Sequence, residues 1–315
     1  MTTAPAVPAS DRRAHGTRPR LPRWRTVLLV QVRATGRALR GAALIGAALL
    51  ALLTMWVALH SMSRDVNITL NAWPTQLPGI LGALLPIAVW ARDERFGPDF
   101  MWTLPVDRRQ HALTKVLAGW VWLMVGVALF VSWLLVLTSA TGGRALPPET
   151  LHVLTSQLTT GPLDPAMLRT VHWAAGPLIL AVPFTAATAI YLLASALALG
   201  SRYPFRWAIG SVVAYLLSTI ASGAASAQLG VDWLNHAPGR LIELLFGSRY
   251  GLDALLTARI ETLGTPATLT TGERVTAWSA APDLADWRTA TLLWTGAALL
   301  ALWAAASRHS ERRRA

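Results

Sequence analysis

Six apolar runs decide what this chain can become, at about 41–60, 75–91, 115–138, 176–199, 206–228 and 288–306. Each approaches the roughly 20 residues that a helix needs to cross a ~30 Å hydrocarbon core. Their apolar cores hold no Asp, Glu, Lys or Arg. Only 14% of the chain is charged, well below the roughly one quarter typical of soluble domains. The expectation is therefore an all-α polytopic membrane protein with six transmembrane helices over residues 41–306. Lipid offers the backbone no hydrogen-bond partner, so each span must satisfy its own. The second run is the shortest and carries Pro78 and Pro86. Pro177 and Pro183 would kink the fourth unless neighbouring groups satisfy the carbonyls they free.

Net charge +12 and a pI near 11.5 would suit a nucleic-acid binder if the chain were soluble. The distribution argues against that. With six spans, 20 of 28 basic and 6 of 16 acidic residues lie on the side of the termini, leaving +14 there and −2 opposite. This asymmetry is the positive-inside bias, so both termini are expected in the cytoplasm and no nucleic acid is implied. Residues 1–20, rich in Pro, Ala, Thr and Arg, read as a disordered cytoplasmic tail. Residues 307–315 form a basic tail with Arg308 and Arg312 to Arg314. Arg12-Arg13 is not followed by apolar residues, and the run after Gly41 lacks a small-x-small cleavage site, which favours an uncleaved first span over a signal peptide.

Between tail and first span, residues 21–40 are amphipathic. Leu21, Trp24, Leu28, Val32 and Leu39 share one helical arc, and Arg33, Arg37 and Arg40 lie opposite. Such a helix is expected to lie along the inner leaflet, with Trp24, Arg33, Arg37 and Arg40 at the lipid interface. The alternative is an N-terminal extension of the first span.

Two long segments fall on the outer side. Residues 139–175 are rich in Gly, Pro and Thr and show little periodicity. In 229–287, Leu241, Leu244, Leu245, Leu252, Leu255 and Leu256 recur at helical spacing, predicting one or two helices at or dipping into the outer membrane surface. Small residues spaced by four, at Ala43–Ala47–Ala51, Gly210–Ala214–Ser218–Ser222 and Ala297–Ala301–Ala305, suit close helix packing. Trp24, Trp73, Trp90, Trp102, Trp173, Trp207 and Trp287 lie near span ends, where an aromatic belt is expected. No internal repeat supports an inverted-repeat transporter.

Several chemistries lack their residues. Without cysteine there is no disulfide or thiolate chemistry. The single lysine, Lys115, sits between Thr114 and Val116, so the chain holds no Gly-Lys-Ser/Thr P-loop and no nucleotide site of that kind. The seven histidines are scattered, without metal-ligand spacing. No serine has a Gly-x-Ser-x-Gly setting. Spans free of ionisable residues also speak against ion-coupled transport.

The segment Arg92–Lys115, RDERFGPDFMWTLPVDRRQHALTK, stands apart between the second and third spans. It carries five basic and four acidic residues around an apolar string, Phe100, Met101, Trp102 and Leu104, closed by Pro105. The segment resembles the cytoplasmic loop of ABC type-2 permeases, the membrane subunits of one class of ABC exporters. In that family an acidic-basic pair and Gly lead through an apolar stretch to Leu-Pro-Val, a basic pair and Gly-Lys. Here these positions read Glu94-Arg95, Gly97, Leu104-Pro105-Val106, Arg108-Arg109 and Thr114-Lys115. Pro98 and Thr114 depart from the usual Thr and Gly.

The resemblance implies a bacterial cell-membrane permease that pairs with a second permease subunit and with an ABC ATPase subunit holding ATP and Mg. The chain itself would not be an enzyme. The coupling loop would comprise Glu94, Arg95, Gly97, Phe100, Trp102, Leu104, Pro105, Arg108, Arg109 and Lys115. Two other readings remain open at this level: an ATP-independent secondary transporter or channel, and a membrane scaffold or sensor that recruits a cytoplasmic partner.

Overall fold

A computed structural model describes residues 24–64, 76–90, 108–143, 148–155, 162–174, 176–201, 243–258, 264–281 and 283–311, together with 210, 217, 239 and 240. The expected fifth span therefore lies almost wholly outside the described residues, as do residues 1–20 and the loop from 91 to 107. Six α-helices are described: α1 (Trp24–Arg64), α2 (Gln76–Trp90), α3 (Arg108–Ala140), α4 (Val182–Gly200), the short α5 (Leu252–Thr257) and α6 (Leu284–Glu311). Among them, stretches in α1, α3 and α6, and the stretch Pro177–Gly200 that includes α4, are long and apolar enough to cross a membrane. Helix α2 has 15 residues, about 22 Å at 1.5 Å per residue, and is shorter than the hydrocarbon core.

Three expectations about helix boundaries change. First, residues 24–40 do not form a helix separate from the first span, because α1 runs unbroken through the junction for 41 residues. Nothing there stops it: no proline intervenes, and the glycines near the junction, Gly36, Gly41 and Gly46, each cost only ~1 kcal/mol relative to alanine. Second, α3 begins at Arg108 rather than near 115, so the last residues of the expected coupling loop are helical. Third, neither proline of the fourth span lies in a helix interior. Pro177 opens a 3₁₀ turn (Pro177–Ala181), and Pro183 lies in the first turn of α4, where its missing N–H would be unpaired in any residue.

The chain is not all-α. Strands β1 (Glu149–Leu154), β2 (Leu168–Trp173), β3 (Gly264–Thr268) and β4 (Arg274–Trp278) form one sheet of order β2-β1-β4-β3. β1 pairs antiparallel with β2 and parallel with β4, and β3 with β4 is an antiparallel hairpin. Gly272 turns that hairpin at φ +87°, a conformation that costs glycine nothing. Both long segments expected on the outer side thus join in a single sheet. Trp173 and Trp278 pack from it onto Ile179, Val182 and the buried Trp287 at the helix ends. Trp173 and Trp287 are therefore part of a layer between sheet and bundle rather than a belt facing lipid.

In the 229–287 segment the helical expectation holds only locally. A π-helical turn (Glu243–Gly247) leaves Leu244, Leu245 and Phe246 exposed. Helix α5 buries Leu255 against Ala186 and Ala189 of α4, beside Trp294 of α6. Trp294 lies ten residues into α6, about 15 Å below its start at 1.5 Å per residue. The Trp294 indole N–H donates to the Tyr250 carbonyl at 3.0 Å. Ala258 then returns to the level of Ile179 and Trp287. The segment dips into the bundle and comes back.

The main core joins α3, α4 and α6 around Tyr191, with Val116, Leu123 and Val127 from α3 and Ala298, Leu302 and Ala305 from α6. Small residues set the spacing here, since a Cβ on Gly200 would lie 3.4 Å from the Ala305 Cβ. Of the Ala297–Ala301–Ala305 stripe, Ala301 and Ala305 contribute to packing and Ala297 is exposed, as are Ala43, Ala47 and Ala51 of α1. Of the Gly210–Ser222 stripe, only Gly210 is described, and it too is exposed. Outside the core, α1, α2, α3 and α6 present many exposed large apolar side chains, among them Leu44, Leu49, Ile80, Leu129, Leu292 and Leu300.

Candidate functional site

The residues singled out in the sequence lead to the end of the bundle where α3 starts. Arg108 opens α3, and Arg109 is exposed one residue later. The Arg109 guanidinium lies 6.0 Å from the ring centroid of Trp303 on α6. His111 Nδ1 is 3.3 Å from the Gln31 amide nitrogen of α1. The Thr114 hydroxyl donates to the His111 carbonyl at 2.9 Å, an internal helix contact. Lys115 is buried, at 6% exposure, with its ammonium 4.5 Å from the ring centroid of Trp90 at the end of α2. A buried ammonium needs compensation, and the face of an aromatic ring supplies part of it. Lys115 thus belongs to the interior rather than to an outward docking surface.

At the next residue, the Tyr191 hydroxyl of α4 donates to the Val116 carbonyl at 2.8 Å. Gly119 leaves room for that hydroxyl, since a Cβ there would collide with it. The Trp122 indole N–H reaches α1 and donates to the Val32 carbonyl at 2.9 Å, its ring filling the space beside Gly36. Within Arg109–Trp122, α3 is therefore tied to α1, α2, α4 and α6. The loop 91–107 joins α2 to this hub.

On α1, Arg33, Arg37 and Arg40 are exposed, as expected for residues facing headgroups or water. The apolar arc opposite them has another explanation. Thr35 is buried, Val32 is half-buried, and both lie on the side turned to Trp122. The amphipathic pattern at least partly records packing on α3. Trp24 is 55% exposed and lines a cleft of about 420 Å³ with Arg109, Gln110, Leu113, Thr114 and Leu117.

Glu94, Arg95, Gly97, Phe100, Trp102, Leu104 and Pro105 lie outside the described residues. Gln31, Tyr191, Gly119 and Trp303 complete the hub but carry no local sequence signal, because their partners are distant in the chain. Among the described residues no group of three His, Cys, Asp or Glu could hold a metal ion. What the arrangement offers is mechanical: a rigid helix start gripped by its neighbours. Comparison of the chain with protein-family models, curated proteins and solved structures finds no match.

Proposed function

We propose that this chain is the permease subunit of an ATP-driven ABC exporter, dimeric in the cell membrane and coupled to separate ATPase subunits. The observation that carries the proposal is the joining of two features at one place. The charged, Pro-containing segment that resembles a coupling loop, Arg92–Lys115, ends in the stretch of α3 where α1, α2, α4 and α6 meet. A groove on an ATPase subunit that takes up Phe100, Trp102 and Leu104 would push on the start of α3. Helix α3 would carry the displacement as a rigid element, and the contacts of Lys115, Val116 and Trp122 would pass it to the neighbouring helices. ATP binding would then bias two arrangements of the membrane dimer through differential contact energy.

Helix directions support six crossings with both termini on one side. Trp90 of α2 meets Lys115 near the start of α3, so α2 runs toward that end. Helices α4 and α6 run parallel, with Val182 beside Trp287 and Gly200 beside Ala305. The connection between two parallel helices must return across the bundle, and the apolar run 206–228 has the length to do so. The +14 side then coincides with the α3 start and is cytoplasmic.

The test is recovery of a P-loop ATPase subunit with the permease from membranes. Trp102→Ala with Leu104→Ala should abolish recovery, because buried anchors of this type are worth on the order of 2 kcal/mol each. Arg108→Ala with Arg109→Ala should weaken it less and in a salt-dependent way. Undiminished recovery with the Trp102/Leu104 variant, at normal membrane levels of permease, refutes the docking role.

A further inference from the structure

We propose that the cleft between the starts of α1 and α3 binds one anionic phospholipid from the leaflet at that end. The inference rests on the membrane reading of the helices and not on the exporter reading. Arg109, Leu113 and Leu117 are spaced by four, so they form one stripe along α3 and all three line the cleft. From the helix start inward the stripe reads cation, apolar, apolar over about 12 Å. A phospholipid carries its groups in that order, phosphate first and acyl chain after.

A second cation stands next to the α1 wall, outside the cleft lining. Arg25 lies against the ring of Trp24, its guanidinium 5.8 Å from the centroid, and Trp24 forms the α1 wall. Gln110 adds an amide at the same level, while the Thr114 hydroxyl is engaged by the His111 carbonyl. Leu113 and Leu117 remain more than one third exposed. A free anion would use the arginines and leave these leucines bare, whereas an acyl chain covers them. Both walls belong to helices of membrane-spanning length that start here; in the membrane reading Leu117 falls within the apolar run 115–138 and Arg109 lies just outside it, on the headgroup side. Arg33, Arg37 and Arg40 lie on the opposite face of α1 and take no part.

The test counts lipids retained by the purified full-length chain in native mass spectrometry, after exchange with equal amounts of phosphatidylglycerol and phosphatidylcholine. The wild type should retain phosphatidylglycerol preferentially. Arg25→Gln and Arg109→Gln should each lower the preference about fivefold, the equivalent of ~1 kcal/mol for one basic residue at an anionic surface. Arg109→Lys should keep most of it. Leu117→Trp, which fills the apolar part and leaves the charges, should reduce retention of both lipids. Arg33→Gln with Arg37→Gln should behave as wild type, and inorganic phosphate should not compete. The proposal is overturned if the wild type shows no preference, if the Arg33/Arg37 pair matters as much as Arg25 and Arg109, or if Arg109→Lys loses as much as Arg109→Gln. Displacement by inorganic phosphate would also overturn it, by showing a simple anion site.

Discussion

Replacing Gly119 with alanine sets two ordinary rules against each other. In an exposed helix the change would stabilise by up to ~1 kcal/mol, since alanine is the better helix former. Here the new methyl falls on the Tyr191 hydroxyl. The ring has little room to withdraw, because Tyr191 is fully buried among Val116, Leu192 and Ala187. Overpacking of a filled core costs about 1–3 kcal/mol. Displacing the hydroxyl from the Val116 carbonyl adds ~0.6 kcal/mol, the average for hydrogen bonds between membrane helices, and at most ~1.7 kcal/mol. Set against the propensity gain, the net expectation is a loss of about 1–3 kcal/mol.

The double variant is the sharper test. Tyr191→Phe removes the atom that the methyl meets, so Gly119→Ala placed on that background should cost far less than on the wild type. The assay is reversible unfolding of the purified chain in mixed micelles, with all four members of the cycle measured. A coupling of at least ~1 kcal/mol is expected, well beyond the ~0.3–0.5 kcal/mol scatter of independent sites. If Gly119→Ala is neutral or stabilising, or the two changes add, the packing of α4 on α3 is not as described.

Gly82 offers a contrast, because an added Cβ would lie 2.6 Å from the Ala187 backbone oxygen. Gly82→Ala should destabilise in the same unfolding assay by more than ~1 kcal/mol, and no side-chain truncation should rescue it. Removing the ring over the buried lysine with Trp90→Leu should cost ~2 kcal/mol or more, and adding Lys115→Met should recover part of that loss, because it removes a buried charge whose stabilisation has been weakened. At the sheet end, Asp286 accepts from Arg249 Nε at 2.9 Å and raises the Arg249 pKa further above its already high value. That cation cannot titrate in any usable range, so Arg249→Ala should lower the melting temperature slightly in dilute buffer and not at all near ~1 M salt, where the Debye length is about 3 Å. The absence of native cysteine allows clean topology mapping. Single cysteines at Gly143 and Gly272 should react from outside the cell and one at Ser310 only from inside; the opposite pattern would invert the proposed orientation.

Four membrane-length apolar helices were legible because length and apolarity are local properties. The runs at 115–138, 176–199 and 288–306 all lie within described helical segments. The charged segment Arg92–Lys115 stood out in the sequence because its charges interrupt two apolar runs, and only its last residues, from Arg108, fall among the described ones. Only tertiary structure decided what those helices face. The apolar arc of residues 21–40 could serve a lipid surface or another helix equally well, and Trp122 occupies part of it. Lys115 looked like one more loop cation until α3 began seven residues earlier and turned it against Trp90. Tyr191 and Gly119 acquire a role only from each other, across two helices. The sheet is the extreme case. β1 and β4 pair His152 with Ala277, residues 125 positions apart, in strands of five or six residues. A local window can show that a segment is apolar, but a register between distant strands exists only once the bundle has brought their ends together.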